Sequence, residues 1–350
     1  MVVAVIALYF LIFQLKGAEV PYFVGIVMLN ALLVLSRYVY SIPNFYHDFS
    51  RVLRWFMIFS LCSFPVMLFA SPFLTEVVLG YSQYFTLGYI FWFSPVGGPD
   101  IFSNLRMTGM AWEPGIWQML LNINLLFALY QRRSAAEIFA SVVATFSTFS
   151  TTGILVTAAV LCLYFFYLSQ RLNIKYIVTF GMLIFLLSPW IAENFAAKLS
   201  GQHMGSGATR LADFFTGAYV LGQNPIFGAD KAIANASNND VLVPIKTFFW
   251  RGNFTDGAYE AYLSVPNSNG YMIFFMDWGL PLGLFFMMKF LTRQVLPSRK
   301  LQVAMFAVIL ISMSAEAISR TSFFYFFIFL CMTFESMKTP RTRIIIDGGK

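Results

Sequence analysis

Ile116-Trp-Gln-Met-Leu-Leu-Asn-Ile-Asn-Leu-Leu-Phe-Ala-Leu-Tyr-Gln131 is apolar at all but a few positions, and Arg132-Arg133 follows it at once. Two more apolar runs come after it with hardly a break, at 135–149 and 153–169. Continuous apolar runs closed by arginines are the pattern of membrane-crossing helices, because a helix satisfies its backbone hydrogen bonds within one segment. Strands of a membrane barrel would instead alternate apolar and polar residues over segments of about 10 residues. The whole chain repeats the pattern. Of 350 residues 59% are hydrophobic and 11% charged, and the mean hydropathy is +0.70. A water-soluble domain of this size needs more surface charge.

Working outward, further apolar runs fall at 1–15, 20–36, 55–70, 175–191, 270–290, 301–315 and 321–337, which makes about ten expected spans. The first run lacks the basic leader and small-residue cleavage site of a signal peptide. The expected fold is an all-α polytopic membrane protein, a single integral-membrane domain over 1–350. Loops on one side hold fifteen of the 23 Lys and Arg, among them Arg51, Arg54, Arg132, Arg133, Lys289 and Arg293. Basic residues favour the cytoplasmic side, so this set is expected there together with both termini. Twelve of the 16 acidic residues fall on the other side or at its border, from Glu19 to Glu316. The net charge of +7 is spread in small groups between spans, which argues against a nucleic-acid partner. Cys62, Cys162 and Cys331 each sit inside an apolar run, as packing residues do.

Two outer segments are too long for simple turns, 71–115 and 192–269. Within the first, the aromatic run 81–93 lies between Gly80 and Pro95-Val-Gly-Gly-Pro99, and it reads as a re-entrant or interfacial segment. Within the second, Leu211, Phe214, Phe215, Ala218 and Tyr219 repeat at helical spacing. That pattern predicts an amphipathic helix along the outer membrane surface with Arg210 at its start.

Four patches on this side carry the chemistry. Arg106-Met-Thr-Gly109-Met-Ala-Trp-Glu113-Pro114 places a cation and an acid just before a helix that Pro114 opens. Ser147 to Gly153 is a hydroxyl-rich turn, read first as helix capping and second as a polar lining. Arg210 and Asp213, three apart, precede Gln223-Asn-Pro-Ile-Phe-Gly228. Asn267-Ser268-Asn269-Gly270 leads into a span carrying Asp277-Trp-Gly279-Leu-Pro281. An acid at 277 is costly in lipid and is expected to face protein or water. Taken singly, each patch has a bland reading as an interfacial ion pair, a cap or a turn.

Together, in this order and on one side, the patches over roughly 100–290 resemble the bacterial O-antigen polymerase and ligase superfamily of membrane glycosyltransferases. The resemblance implies a class C glycosyltransferase-like fold with a large periplasmic loop carrying amphipathic helices. It implies a donor and an acceptor glycan, both carried on undecaprenyl pyrophosphate at the periplasmic face of the inner membrane, and a polysaccharide co-polymerase partner that sets chain length. No cofactor and no metal is expected. Arg106 and Arg210 match the family's arginine positions and are expected to grip the pyrophosphate, since guanidinium stays charged and binds phosphate in a bidentate way. Glu113 is the expected base for the attacking hydroxyl, with Asp213 second. Arg251, Glu260, Asn267, Ser268 and Asn269 are expected to line the sugar site. Where the ligases carry a His-Asn pair, this chain has Ser268-Asn269, which favours a polymerase over a ligase. The rival from another class is a lipid-linked oligosaccharide flippase, which would place charges at mid-membrane depth.

Overall fold

The computed structural model describes residues 42–79, 82–95, 105–109, 113–168, 204–228, 269–314, 316 and 318–333. The expected spans at 1–15, 20–36 and 175–191 lie outside the described residues. The described part is mostly helical. Its helices are α1 (Ile42–Phe69), α2 (Pro114–Tyr130), α3 (Ala135–Phe146), α4 (Thr151–Leu163), α5 (Met204–Gln223), α6 (Gly270–Thr292), α7 (Arg299–Met313) and α8 (Ser322–Thr333). A π-helical turn, Tyr164–Leu168, extends α4.

Three of these helical stretches are long and apolar enough to cross a membrane: Phe45–Met67, Thr151–Leu168 and Gly270–Thr292, with hydropathies of 1.2, 1.9 and 1.5. The chain is thus a helical, membrane-associated protein. The other described runs form helices at the expected places but are shorter, with 17 residues in α2, 12 in α3, 15 in α7 and 12 in α8.

α2 forms the centre of the bundle. It packs against α1, α3, α4 and α7, and every residue from Pro114 to Leu129 is buried. A helix that is apolar all round fits only where protein surrounds it. Its polar residues find partners within the bundle. Asn122 donates to the Gly153 carbonyl at 3.3 Å and accepts from Thr157 at 2.8 Å, while Asn124 donates to Ser141 at 3.0 Å. Trp117, fully buried, donates to the Ser60 hydroxyl of α1 at 2.8 Å. At the far end of α2, Glu137 holds Arg133 at 2.6 Å and Arg54 at 3.0 Å, so this turn is tied to α1. Gln302 closes the α6–α7 link by accepting from the Val295 N–H at 2.8 Å and donating to the Phe290 and Arg293 carbonyls.

The fold is not all-α. The first long segment carries a four-stranded antiparallel sheet in the order β1 (Thr75–Leu79), β2 (Ser82–Leu87), β3 (Phe91–Pro95) and β4 (Leu105–Met107). The run 81–93, expected as a re-entrant or interfacial segment, supplies β2 and β3 instead. Gly88 and Tyr89 both take left-handed backbone, at φ 60° and 58°, and the Ile90 N–H bonds to the Leu87 carbonyl at 3.2 Å. Paired left-handed residues make the turn whose twist suits a hairpin. Phe85 pairs with Phe93 and Phe93 with Met107, forming a buried row on one face. Phe91 stacks on Phe59 of α1 at 5.2 Å, which seats the sheet on the bundle. Aromatic and β-branched residues suit such a half-buried pleated surface as well as they suit a membrane interface.

α5 begins at Met204, so Arg210 stands in its second turn and not at its start. The helix packs against the first half of α6, with Val220 and Leu221 against Ile273 and Met276. Its closing turn meets a break in α6. At Gly279 the backbone leaves the helix with φ 73°, Pro281 follows, and the freed Leu280 N–H bonds to the Pro225 carbonyl at 2.8 Å. A proline takes one donor from the helical ladder, and a neighbouring segment re-satisfies the freed groups.

Candidate functional site

Residues from three regions of the chain, 106–113, 210 and 316, meet where α2 begins. β4 brings Arg106, the residue before α2 brings Glu113, α5 brings Arg210, and the turn after α7 brings Glu316. Local chemistry fixes each one. Gly109, three residues after Arg106, has φ 61°, and a Cβ there would come 2.1 Å from the Trp117 ring. That position needs glycine on both counts, and it lets the strand carrying Arg106 lie against α2. Pro114 at the first turn of α2 favours an extended residue before it, and Glu113 has φ −134° and ψ 136°. Glu113 makes no side-chain cap, so its carboxyl is not spent on the helix end.

Glu316 sits in a cradle built by two glycines. A Cβ on Gly115 would come 2.2 Å from its carboxyl carbon, and one on Gly270 would come 2.4 Å from its backbone oxygen. The Glu316 N–H bonds to the Ser312 carbonyl at 3.1 Å, and its own carbonyl accepts from Ile318 at 2.7 Å. Asn269 fastens the same corner. Its side-chain oxygen accepts from the Tyr271 and Met272 N–H groups at 3.2 Å each, and its amide donates to the Ser314 carbonyl at 3.4 Å.

In this setting Arg210 pairs with Glu316 at 3.4 Å. The Glu316 carboxyl is also hydrogen-bonded to that of Glu113. Both acids lie outside the helical spans. Burial raises Glu113 above the ordinary carboxylate range, and the hydrogen bond from Glu316 and the two guanidiniums offset part of that rise. Burial pushes Glu316 up to about 7, against the pull of Arg210. Burial also lowers Arg106, while Glu316 and Glu113 support its charge. Arg106 Nε and Glu113 Oε2 are buried and have no hydrogen-bond partner within the described protein. The cluster therefore offers cationic donors and an unpartnered carboxylate oxygen side by side, which suits a phosphate-bearing ligand with a hydroxyl to be deprotonated.

One consequence concerns stability. The folded chain holds the Glu316 proton more tightly than the unfolded chain, whose glutamates titrate near 4.5. The contribution is complete below that value and is lost as pH rises through about 7. The thermal midpoint of the detergent-solubilised protein is expected to fall between about pH 5 and pH 7.5, and to fall less in Glu316→Gln. A midpoint that climbs over this window would contradict the placement of Glu316.

Of the residues expected from sequence, Arg106, Glu113 and Arg210 come together. Asp213 lies one turn beyond Arg210 on α5 and is buried. Asn269 is present at the edge of the cluster, engaged as the cap of α6. Arg251, Glu260, Asn267 and Ser268 lie outside the described residues. In the hydroxyl turn, Ser150 caps α4 by accepting from the Gly153 N–H at 3.2 Å, as the capping reading holds. Asp277 is buried within the protein. Glu316 enters the sequence reading only as one acid among those on its side. The signal available for it was an acid in the short link between the runs 301–315 and 321–337, which returns the chain to the side where Glu113 stands. Among the described residues, no group of three or more His, Cys, Asp or Glu gathers to hold a metal ion. No protein-family model, curated protein or solved structure matches the chain.

Proposed function

We propose that the chain is a metal-independent membrane glycosyltransferase that joins undecaprenyl-pyrophosphate-linked oligosaccharide repeat units into O-antigen or a related surface polysaccharide. The observation that carries this reading is the meeting of Arg210 on α5 with Arg106 and Glu113, about a hundred residues earlier in the chain, at one end of the bundle. Arg106 and Arg210 hold the pyrophosphate of the donor and meet the charge that builds as the bond from the anomeric carbon to the phosphate oxygen breaks. Glu113 takes the proton of the attacking sugar hydroxyl through its unpartnered oxygen. The basic residues Arg54, Arg132 and Arg133 at the opposite end of α2 support a cytoplasmic setting for that end and for both termini, with the cluster at the periplasmic face of the inner membrane. Ten spans complete the fold, and a co-polymerase partner sets the product length. Ser268 in the position of the ligase histidine favours polymerisation over ligation.

One observation favours a second reading. A helix broken near its middle, as α6 is at Gly279, is a recurrent feature of transporters, and a lipid-linked oligosaccharide flippase would use it. Purified protein in nanodiscs, supplied with a lipid-linked repeat unit, is expected to produce a ladder of longer lipid-linked glycans. The absence of a ladder, with movement of the same lipid across a liposome bilayer, would replace the transferase by the flippase.

A further inference from the structure

The cluster sets two guanidinium groups against two carboxyls, and the carboxyls are hydrogen-bonded to each other. Such a bond needs one proton on the pair, because an ionised carboxylate only accepts. Two carboxylates in contact also resist joint ionisation. The pair then carries one negative charge against two positive ones, and the site keeps a positive surplus. The Glu316 Oε1 atom lies 3.4 Å from the Arg210 guanidinium, so a phosphate drawn to Arg210 shares that cation with Glu316. Glu316 has little room to move away. Gly115 and Gly270 close on its carboxyl and on its backbone oxygen.

We propose that Glu316 is the proton-carrying partner of Glu113, and that a pyrophosphate diester seated on Arg106 and Arg210 makes this carboxyl pair take up a proton. The inference rests on the pyrophosphate reading above. A diester of pyrophosphate brings two negative charges to cations that now serve Glu316. A second charge on the carboxyl pair then costs more, and the site binds a proton in its place. Among the described residues, the charged groups facing Glu316 are Arg106 from β4, Glu113 from the start of α2 and Arg210 from α5. The adjoining ends of α6 and α7 contribute Asn269, Gly270, Met313 and Ser314, none of which titrates. The Tyr271 hydroxyl is turned to the Leu310 carbonyl.

During transfer the acceptor hydroxyl gives its proton to Glu113, and its oxygen bonds to the anomeric carbon. The bond from that carbon to the phosphate oxygen breaks, and the electron pair leaves on the phosphate. Arg210 and the proton on Glu316 meet that new charge together. The pair then holds two protons, and one of them leaves on the phosphate oxygen of the departing pyrophosphate, which restores the one-proton pair.

The test is titration calorimetry of the full chain in nanodiscs with a dialkyl pyrophosphate, which has no proton of its own to exchange near neutrality. Binding is measured in two buffers of different ionisation enthalpy. At about pH 7.5 wild type is expected to take up roughly half to three quarters of a proton per ligand, and much less at about pH 5.5, where Glu316 already holds its proton. Glu316→Gln is expected to bind at least as tightly with the uptake gone. Unchanged uptake in Glu316→Gln, or binding by wild type with no proton exchanged at either pH, overturns the proton-carrying role. The wild-type comparison stands by itself should that variant fail to fold. Failure of wild type to bind the diester at all would overturn the pyrophosphate reading along with it.

Discussion

Arg210→Ala is expected to slow formation of the glycan ladder by about 10²–10³-fold, the usual loss when one positioned donor to developing charge is removed. Two roles fall together in this variant. The pyrophosphate loses a cation, and Glu316 loses the partner 3.4 Å away. Arg210→Lys separates them. A lysine keeps the charge for Glu316 but presents a point charge to phosphate instead of a planar fork. It should therefore recover the pH dependence of stability while recovering only part of the rate. Initial rates with a lipid-linked repeat unit decide the matter. If the loss in Arg210→Ala appears only as weaker donor binding with the maximal rate kept, Arg210 binds substrate and transition state equally and has no special hold on the leaving group.

Gly279→Ala is the second large effect, and it acts on the fold first. The residue has φ 73° and ψ 165°, backbone that is essentially confined to glycine and costs a residue with a Cβ about 1–3 kcal/mol. The added carbon would also lie 2.0 Å from the Ile226 backbone oxygen, and a backbone atom cannot rotate away as a side-chain tip can. Overpacking of this kind adds about 1–3 kcal/mol. The sum is about 3 kcal/mol or more, concentrated where the turn after α5 meets the break in α6. Because α5 also carries Arg210, the variant should lose transfer along with stability. A lowered thermal midpoint together with faster proteolysis of the 204–228 stretch is the expected result. An unchanged midpoint would show that the break in α6 does not depend on this contact.

Much of the helical architecture could be read in the chain. Apolar runs at 116–131, 135–149, 270–290 and 301–315 each became a helix, because uninterrupted apolar sequence next to basic turns has few other solutions. The sheet was misjudged for a physical reason. Residues 81–93 are rich in Phe, Tyr and Trp, which serve a membrane interface and a pleated strand equally well. Gly88-Tyr89 marked the hairpin, but it competed with the composition around it. In the site, Arg106, Glu113 and Arg210 stood out because each sits beside turn residues that are informative by themselves. Glu316 did not. Its importance arises from contact with residues 106 and more positions away in the chain, and no local spacing encodes that contact.

The enclosure of α2 bears on how the chain would be threaded into a bilayer. Gln118, Asn122 and Asn124 are bare amides on a helix that protein covers on every side. Asn122 and Asn124 are answered by Ser141, Gly153 and Thr157, which leave the ribosome after them. Asn122 donates within α2 to the Gln118 carbonyl and Oε1 at 3.0 and 2.9 Å, and the later residues return the rest of what these amides would cost in hydrocarbon. Released singly from the insertion machinery, α2 would meet lipid before its partners existed. On the proposed topology, in which α2, α3 and α4 all cross the bilayer, the unit that enters is the three-helix stretch from Pro114 to Leu163, held at the exit until its last turn is made.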